Sequence, residues 1–582
     1  MTSFYDALIS ESDFSTRDKS WSPFFSTVGI CAGGDITGIG ELVLHYNRVT
    51  RPVFGRFIGF PLKINRDMAT VERLWFGNST SIVCPVPNVF IFESFELPFV
   101  TLFEDVSPGV RDFRSSLTDD ACVYFTGFSR TTDARDPDPE TPFGLSLFVQ
   151  CGHLTPRDGT CVVENDEGLI RFCVHIDVLT HIQTRPTEYV RSMADSLAGA
   201  APEWDTYLRR VAACFPLSGE TEHGKALAAA ARSLIMNTCE TYGGYPRYRS
   251  CFPSRGEYPC HFLWDTYFQN LGYGFFDKSA SVGFLMLIAG NCRYDGKLPQ
   301  FICSTWARPG DSQPPLLGWA VMKLIESIDK DDLNLLFAVL VKNCSWWLNA
   351  RMSRFGLIFS PSGLETGQDD SPRFDGGAAV PCDMNAYLLN QMRCIVSVAP
   401  MVEKDDVGRY WKKRADEFEK LIYEKLYCPE DGLFYDLDLA TGQFIRVRSN
   451  ACVMPLWAGV KMPENQRKFI IEEFLLNEKA MFGAVPFPSV AYDDKHYDPS
   501  GWWRGPTWMP IAYLMCETLE KYGYNDSALE AKKRLYDIIL RDGEFRELFD
   551  SRTGKGLGAA QQGWTCGIFI RLSREIFLKD KI

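Results

Sequence analysis

The sequence lacks the residue patterns that metal centres and disulfide frameworks require. Its 19 cysteines are scattered singly without a C-x-x-C pair, and its 7 histidines form no H-E-x-x-H motif. Because zinc sites and disulfide-rich domains depend on such spacing, we interpret the cysteines as small buried apolar residues in a reducing compartment. We therefore expect no metal and no other cofactor.

Long apolar runs and basic clusters are also missing. No run approaches the roughly 20 apolar residues of a membrane-spanning helix, and Met1–Asp6 does not open a basic segment followed by an apolar one, as a secretory signal would. We expect a cytoplasmic protein. The net charge of −13, without a Lys/Arg field, argues against nucleic-acid or membrane partners. The oligomeric state is not indicated.

The chain is long enough for more than one core, and its hydrophobic period changes once. At 582 residues and 46% hydrophobic composition it exceeds an ordinary single domain. Up to about residue 200 the pattern is strand-like, with apolar residues alternating along Phe143–Val149 and along Phe172–Val178. We predict an N-terminal β-sandwich domain over residues 1–200.

From about Pro202 onward the segments are helical and regularly spaced. The helix candidates are roughly 203–214 merging into 222–243, then 262–272, 279–290, 313–327, 331–352, 382–398, 403–426, 447–458, 463–476, 505–521, 525–540 and 561–578. Segment 404–427 is charged and amphipathic, whereas 383–400 is far more apolar. This alternation of outer and inner helices predicts an (α/α)6 toroid, a mainly α catalytic domain over residues 201–582.

Three connections between these helices are rich in polar and aromatic residues. Trp264-Asp265 opens one helix, Gln313 precedes two prolines that would start another, and Gly501–Trp508 holds three tryptophans in a short segment. An aspartate beside a tryptophan is equally typical of an N-cap next to a core residue. The three tryptophans around Arg504 and Gly505 favour a wall on which sugar rings stack.

Two further loops each carry a carboxylate, Asp369 and Glu547, next to aromatic residues. Taken singly, either is most simply a solvated surface acid. Taken as a pair, they are what cleavage of a glycosidic bond requires: one carboxyl protonates the leaving oxygen and the other activates water or attacks the anomeric carbon.

The second half of the chain resembles inverting α-glycosidases of the (α/α)6 class. These include trehalases, processing α-glucosidase I and its bacterial relatives in glycoside hydrolase family 63, and most closely the mannosylglycerate and glucosylglycerate hydrolases. The resemblance covers roughly residues 225 to 578. The residues that carry it are Trp264-Asp265, Ser312–Pro315, Glu365–Pro372, Asn385–Tyr387, Trp502–Pro506, Glu547, Gly554–Gly556 and Gln562–Trp564.

The resemblance implies an inverting glycosidase acting on a small α-linked glucoside or mannoside, with Asp369 as general acid and Glu547 as general base. A water must fit beside the base, so the two carboxyl groups are expected about 6.5–9.5 Å apart. A site walled by tryptophans and closed to water would raise the pKa of the acid. The implied substrate-binding residues are Trp264, Asp265, Gln313, Gly367, Tyr387, Trp503, Arg504, Gly505, Trp508, Gln562 and Trp564.

Departures from the family pattern leave alternatives open. Thr366 and Gln368 differ from the usual Glu-Ser-Gly followed by a bulky residue, which leaves the substrate undetermined, and Asp370 competes with Asp369 as the acid. Disaccharide phosphorylases share the expected architecture but replace the base by a phosphate pocket, whereas this chain has Glu547 and no histidine after His496. A non-catalytic glycan-binding protein is the other alternative.

Overall fold

The computed structural model describes residues 3–9, 20–21, 28–32, 40–46, 49–52, 73–76, 80–86, 89–95, 99–102, 110–119, 122–130, 140–151, 153–157, 160–164, 169–178, 201–215, 217–239, 248–255, 257–302 and 310–577. The chain forms two compact units. One consists mainly of the residues up to Cys260, and the other comprises His261–Ile302 and the chain from Ala307 onward. Helices Ala201–Ala213 and Glu222–Met236 fall in the first unit, and the predicted division at residue 200 stays a prediction.

The first unit contains antiparallel sheets. The largest has, in spatial order, the strands Arg73–Phe76, Thr80–Val86, Val89–Phe95, Leu169–Val178, Glu140–Cys151, Cys122–Arg130 and Val110–Asp119. A second holds Ser20–Trp21, Val28–Ala32, Gly40–Tyr46 and Val49–Pro52, and a third holds His153–Arg157, Thr160–Glu164 and Phe99–Leu102. A short helix, Phe4–Ile9, precedes them.

The two strands identified from alternation pair directly with each other. Phe143 lies opposite Val178, Leu145 opposite Ile176, and the register continues without a shift to Val149. Because side chains alternate between the two faces of a strand, the apolar positions of both strands share one face of this sheet. The arrangement of the sheets as a sandwich stays a prediction.

The second unit is mainly helical. We number its principal helices α1 (Leu263–Phe276), α2 (Lys278–Gly290), α3 (Leu317–Leu324), α4 (Lys330–Ala350), α5 (Cys382–Val398), α6 (Asp405–Leu426), α7 (Met454–Trp457), α8 (Glu464–Lys468), α9 (Met509–Lys521), α10 (Asn525–Asp542) and α11 (Gly563–Phe577). Two-residue and three-residue strands lie in the connections, namely His261–Phe262, Phe301–Ile302, Ala379–Val380, Tyr427–Cys428, Leu433–Phe434, Asp436–Asp438, Phe444–Ile445, Leu548–Phe549 and Gly556–Leu557.

The odd-numbered helices close a ring. Helix α1 contacts α3, and the contacts continue through α5, α7, α9 and α11 back to α1. Helices α2, α4, α6 and α10 each contact the inner helix that precedes them. This is the inner layer and most of the outer layer of the predicted toroid. The remaining predicted segment, 203–243, contributes two separate helices to the first unit, which end at Ala213 and Met236 and do not merge.

Burial explains why α5 lies inside and α6 outside. Helix α5 is buried at most of its positions, on all sides. Helix α6 buries only one stripe, at the positions Gly408, Trp411, Ala415, Phe418, Glu419, Ile422 and Leu426, and the spacing of three and four residues marks a single face of a helix.

Three helices begin later in the chain than predicted. Segment 313–327 becomes helical only at Leu317, and Pro314 and Pro315 lie before the helix. Segment 447–458 is a 3-10 turn, Asn450–Val453, followed by the single turn α7, which has a proline in its first positions. Segment 505–521 begins at Met509, since Thr507 pairs in extended form with Phe549. The loops that precede these inner helices are therefore longer than predicted.

Glycines allow the first and last inner helices to approach closely. A Cβ atom at Gly272 of α1 would lie 2.7 Å from Cα of Gly567 in α11, and one at Gly567 would lie 2.6 Å from the carbonyl oxygen of Phe268. Only residues without a side chain fit at this crossing. The ring thus closes through backbone contact between segments about 300 residues apart.

The cysteines from Cys214 onward whose side chains the structure describes are free, and all of them except Cys214 and Cys292 are buried, as expected for small apolar residues. The described part of the chain holds no cluster of His, Cys, Asp and Glu suited to a metal ion. No helix in these ranges combines the length and apolar character needed to cross a bilayer.

Candidate active site

The site lies within the second unit, and its first component is the loop that carries Asp369. A one-turn helix, Gly363–Thr366, ends at Gly367, whose φ of +73° is left-handed. A Cβ atom at Gly367 would lie 2.7 Å from Cζ2 of Trp264, so both the backbone geometry and the close ring contact require glycine. Asp369 follows two residues later, and its side chain is exposed.

The neighbouring carboxylate, Asp370, is bound by backbone. The amide N–H groups of Trp502 and Trp503 donate to its two oxygens at 3.1 and 2.6 Å, and Nε of Arg504 lies 3.8 Å away. Both oxygens therefore act as acceptors that hold another loop. This favours Asp369 over Asp370 as the candidate proton donor.

Glu547 is positioned by a hairpin and by α11. It precedes the strand Leu548–Phe549, its N–H donates to the carbonyl of Ala559, and the N–H of Ala559 donates to Oε2 at 3.1 Å. Nε1 of Trp564 donates to the carbonyl oxygen of Glu547 at 3.0 Å. Glu547 is 4% exposed. The candidate base is thus buried and the candidate acid is exposed, which differs from the expectation that a closed site desolvates the acid.

Asp265 links these two carboxylates. It lies in the first turn of α1, is 4% exposed, and does not cap the helix, because Phe262 occupies the N-cap position. Burial raises the pKa of Asp265 well above 3.8, and the negative charges of Glu547 and then of Asp369 raise it further. The carboxylates of Glu547 and Asp369, which are widely separated in sequence, therefore both lie within electrostatic range of Asp265.

Tryptophans form the wall of this site. The Trp264 ring centroid lies 5.9 Å from those of Trp503 and Trp564, and Trp508 lies 5.7 Å from Trp564. Trp503 and Trp508 stack on each other at 3.8 Å, and each is 2% exposed. Their stacked faces therefore cover each other. Trp502, absent from the predicted subsite residues, is the half-buried member of the cluster.

The predicted glutamines fix the starts of inner helices. Oε1 of Gln313 accepts a hydrogen bond from the backbone N–H of Trp264 at 3.1 Å. Oε1 of Gln562 accepts from the N–H of Gly563 at 2.9 Å, where α11 begins. Both side chains are buried; Gln313 holds the backbone of Trp264, and Gln562 holds that of Gly563, the residue before Trp564.

The remaining predicted residues are Arg504, Gly505 and Tyr387. Arg504 forms an ion pair with Asp375, and a Cβ atom at Gly505 would lie 2.5 Å from the carbonyl oxygen of Asp498. Tyr387 packs its ring on Trp457 of α7 at 5.7 Å. Burial raises the pKa of the Tyr387 hydroxyl, and its oxygen has no hydrogen-bond partner among the residues the structure describes.

A buried ionic network beneath the acid loop was not predicted from the sequence. Arg373 donates to both oxygens of Asp383, at 2.7 and 3.2 Å, and to Asp436 at 2.9 Å. Nε2 of Gln368 donates to Asn450 at 3.2 Å and reaches Asp383 at 3.5 Å. Gln368, a departure from the family pattern, therefore supports the loop from inside. Arg373 directly follows the motif Glu365–Pro372, but no local signal identifies its distant partners.

Comparison with known proteins shows a family for most of the helical unit. The family profile of the mannosylglycerate hydrolase MGH1-like glycoside hydrolase domain matches residues 258–565. Mannosylglycerate hydrolase MGH1 of Selaginella moellendorffii is 24% identical over 469 residues, which are 66% of this chain and 94% of that protein. The mannosylglycerate hydrolase of Thermus thermophilus is 24% identical over 55% of this chain and 96% of its own length.

Solved structures share the fold. A GH63 mannosylglycerate hydrolase from Thermus thermophilus, in complex with Tris and D-glycerate, superposes with a TM-score of 0.55 at 23% identity, covering 60% of this chain and all of that one. The family GH92 α-mannosidase BT3965 from Bacteroides thetaiotaomicron gives a TM-score of 0.57 at 10% identity, covering 97% of this chain and 84% of that one.

Proposed function

Since the chain belongs to the mannosylglycerate hydrolase MGH1-like glycoside hydrolases, we propose that it is an inverting hydrolase of a small α-linked mannoside or glucoside. Glycosylglycerates are the first substrates to test, because the curated relatives are named for mannosylglycerate. One observation carries the proposal. The pKa of Asp265 is raised by its burial and then by the charges of Glu547 and Asp369, which supports placing the predicted acid and base near the same buried carboxyl.

In the proposed mechanism Asp369 donates its proton to the glycosidic oxygen as the bond to the anomeric carbon breaks. Glu547 takes a proton from a water, and the oxygen of that water bonds to the anomeric carbon from the opposite face. One water is consumed, the leaving group departs protonated, and the configuration inverts. Because Glu547 is buried and Asp369 exposed, the sugar ring would lie inward and the leaving group toward solvent.

The surrounding residues would recognise the sugar. Asp265, whose pKa is raised by burial and by its two acidic neighbours, is suited to hydrogen-bond a sugar hydroxyl as a neutral acid. Trp264 and Trp564 would cover the apolar side of the ring. These three residues are each 3–4% exposed, so only a small part of each is open to solvent.

The decisive experiment follows the anomeric configuration during turnover. Purified protein is incubated with mannosylglycerate, glucosylglycerate and a panel of α-linked disaccharides, with and without phosphate, and proton NMR records the first anomer released. We expect free sugar as the β-anomer, independent of phosphate. Release of the α-anomer first would indicate a covalent glycosyl-enzyme, and a requirement for phosphate would indicate a phosphorylase. Either result would contradict the proposal.

A further inference from the structure

The bond between Asp370 and the tryptophan loop joins two segments that the chain brings together from 132 residues apart. Asp370 accepts from two consecutive backbone amides, those of Trp502 and Trp503, one on each oxygen. Two such N–H groups pointing at one carboxylate form a bidentate, charge-assisted contact, which fixes orientation as well as distance. The contact therefore defines how the acid loop sits against the tryptophan loop.

The tryptophan loop is in turn fixed to the floor of the site. Trp503 stacks on Trp508 at 3.8 Å and meets Trp264, which is the residue next to Asp265. The ring of Trp264 also contacts the acid loop at Gly367, where there is no room for a Cβ atom. The loop that carries Asp369 is thus fixed to the tryptophans on both sides of this residue in the sequence, by Gly367 before it and by Asp370 after it.

We propose that Asp370 is a positioning residue, which holds Asp369 at the distance from the bound sugar that proton donation to the leaving group requires. The inference rests on the proposed function of Asp369 as the general acid. Asp370 acts through the backbone of Trp502 and Trp503 and does not touch the reacting atoms. Its contribution should therefore appear only in the part of the reaction that needs the acid.

Substrates with different leaving groups separate the contribution of the general acid from the rest of the reaction. A sugar with a poor leaving group, such as glycerate, needs protonation as the bond breaks, whereas fluoride departs with little assistance. If the acid loop shifts, its general-acid contribution of about 10²–10⁴-fold is partly lost, and a displacement near 1 Å can cost about 10²-fold. Attack by the water at Glu547 would be unaffected.

The test compares Asp370→Asn and Asp370→Ala with Asp375→Asn. Asp375 is a matched control, since it also pairs with Arg504 but makes no contact with the Trp502 and Trp503 amides. For each variant, kcat/KM is measured on mannosylglycerate and on α-mannosyl fluoride, or on the glucosyl pair if wild type prefers glucose. The ratio of the two values does not depend on the folded fraction, because both come from one preparation.

We expect Asp370→Asn to lower kcat/KM on the glycosylglycerate at least about tenfold, and on the fluoride less than about threefold. Asp370→Ala should widen the gap, because asparagine keeps one acceptor oxygen. Asp375→Asn should leave the ratio within about twofold of wild type. An equal loss on both substrates in the Asp370 variants, or no loss, would overturn the inference. Failure of the proposed function is distinguishable, since wild type would then release no β-anomer from either substrate.

Discussion

Replacing Gly367 by alanine is expected to impair both stability and hydrolysis, because two independent restraints act at this residue. Its φ of +73° lies in the left-handed region, and the new Cβ atom would meet the Trp264 ring at 2.7 Å. Ordinary carbon contacts lie near 3.5–4.0 Å. The ring cannot yield easily, since Trp503 and Trp564 pack on it and Gln313 holds its backbone.

The magnitude is the sum of the two effects. A non-glycine residue in the left-handed region costs about 1–2 kcal/mol, and overpacking a tight contact costs about 1–3 kcal/mol. The total loss in the free energy of unfolding is therefore about 2–5 kcal/mol. The overlap is relieved by moving either Trp264 or the loop carrying Asp369, and a shift near 1 Å at a catalytic group lowers turnover by about 10²-fold.

Two neighbouring glycines separate the effects. Gly377 has a φ of +110° but no atom within 4 Å of the position that a Cβ atom would take, and Gly376 has neither restraint. In thermal and urea unfolding, Gly377→Ala should lose stability while Gly376→Ala should not. In hydrolysis assays on the folded proteins, only Gly367→Ala should lose activity. A folded Gly367→Ala variant with turnover within about twofold of wild type would refute the reasoning.

Three further predictions concern charged groups. Asp369→Ala and Glu547→Ala should each reduce turnover by at least about 10²-fold, and an α-glycosyl fluoride should partly restore only the former; equal rescue would contradict the assigned roles. The pKa of Asp265 is raised in the native protein, so ionising this group costs stability as the pH rises from about 3.8 through the native pKa. The melting temperature of Asp265→Asn should therefore increase relative to that of wild type between about pH 4 and pH 7. A difference in melting temperature that does not change with pH would count against a neutral Asp265. Arg373→Met should lower the free energy of unfolding by about 3–5 kcal/mol, because it leaves Asp383 and Asp436 buried without their cation. A decrease of less than about 1 kcal/mol in the free energy of unfolding measured in urea would argue against a stabilising role of that network.

The sequence predicted helices best where burial is continuous or cleanly one-sided. Helix α5 begins and ends at the predicted residues 382 and 398 because it is buried at most of its positions, and α6 was recognisable from a single buried stripe. The starts of α3 and α7 were misplaced because a proline near a helix start can lie on either side of it: Pro314 and Pro315 precede α3, whereas Pro455 lies in the first turn of α7. A pattern of hydrophobicity does not distinguish these two outcomes.

For the site, motifs in the sequence indicated which residues to consider but not what each contacts. The roles predicted for Asp369 and Glu547 stay predictions. The binding of Asp370 to backbone 132 residues away follows from tertiary packing, as does the pairing of Arg373 with Asp436 at a separation of 63 residues. The burial of Glu547 likewise depends on the hairpin that follows it, and no pattern in the sequence indicates how deeply that hairpin is buried.

The glycine crossing of α1 and α11 has a consequence for biosynthesis. Asp265 and Trp264 are translated about 300 residues before Trp564, whose indole N–H holds the backbone of Glu547. Contacts of such long sequence separation form late and slow folding, so the inner ring cannot close while a ribosome is still making α11. A chain truncated before Gly563 would expose the apolar surfaces of an open ring of helices. Such a chain would be bound by chaperones or degraded by proteases and would not be a partly active enzyme.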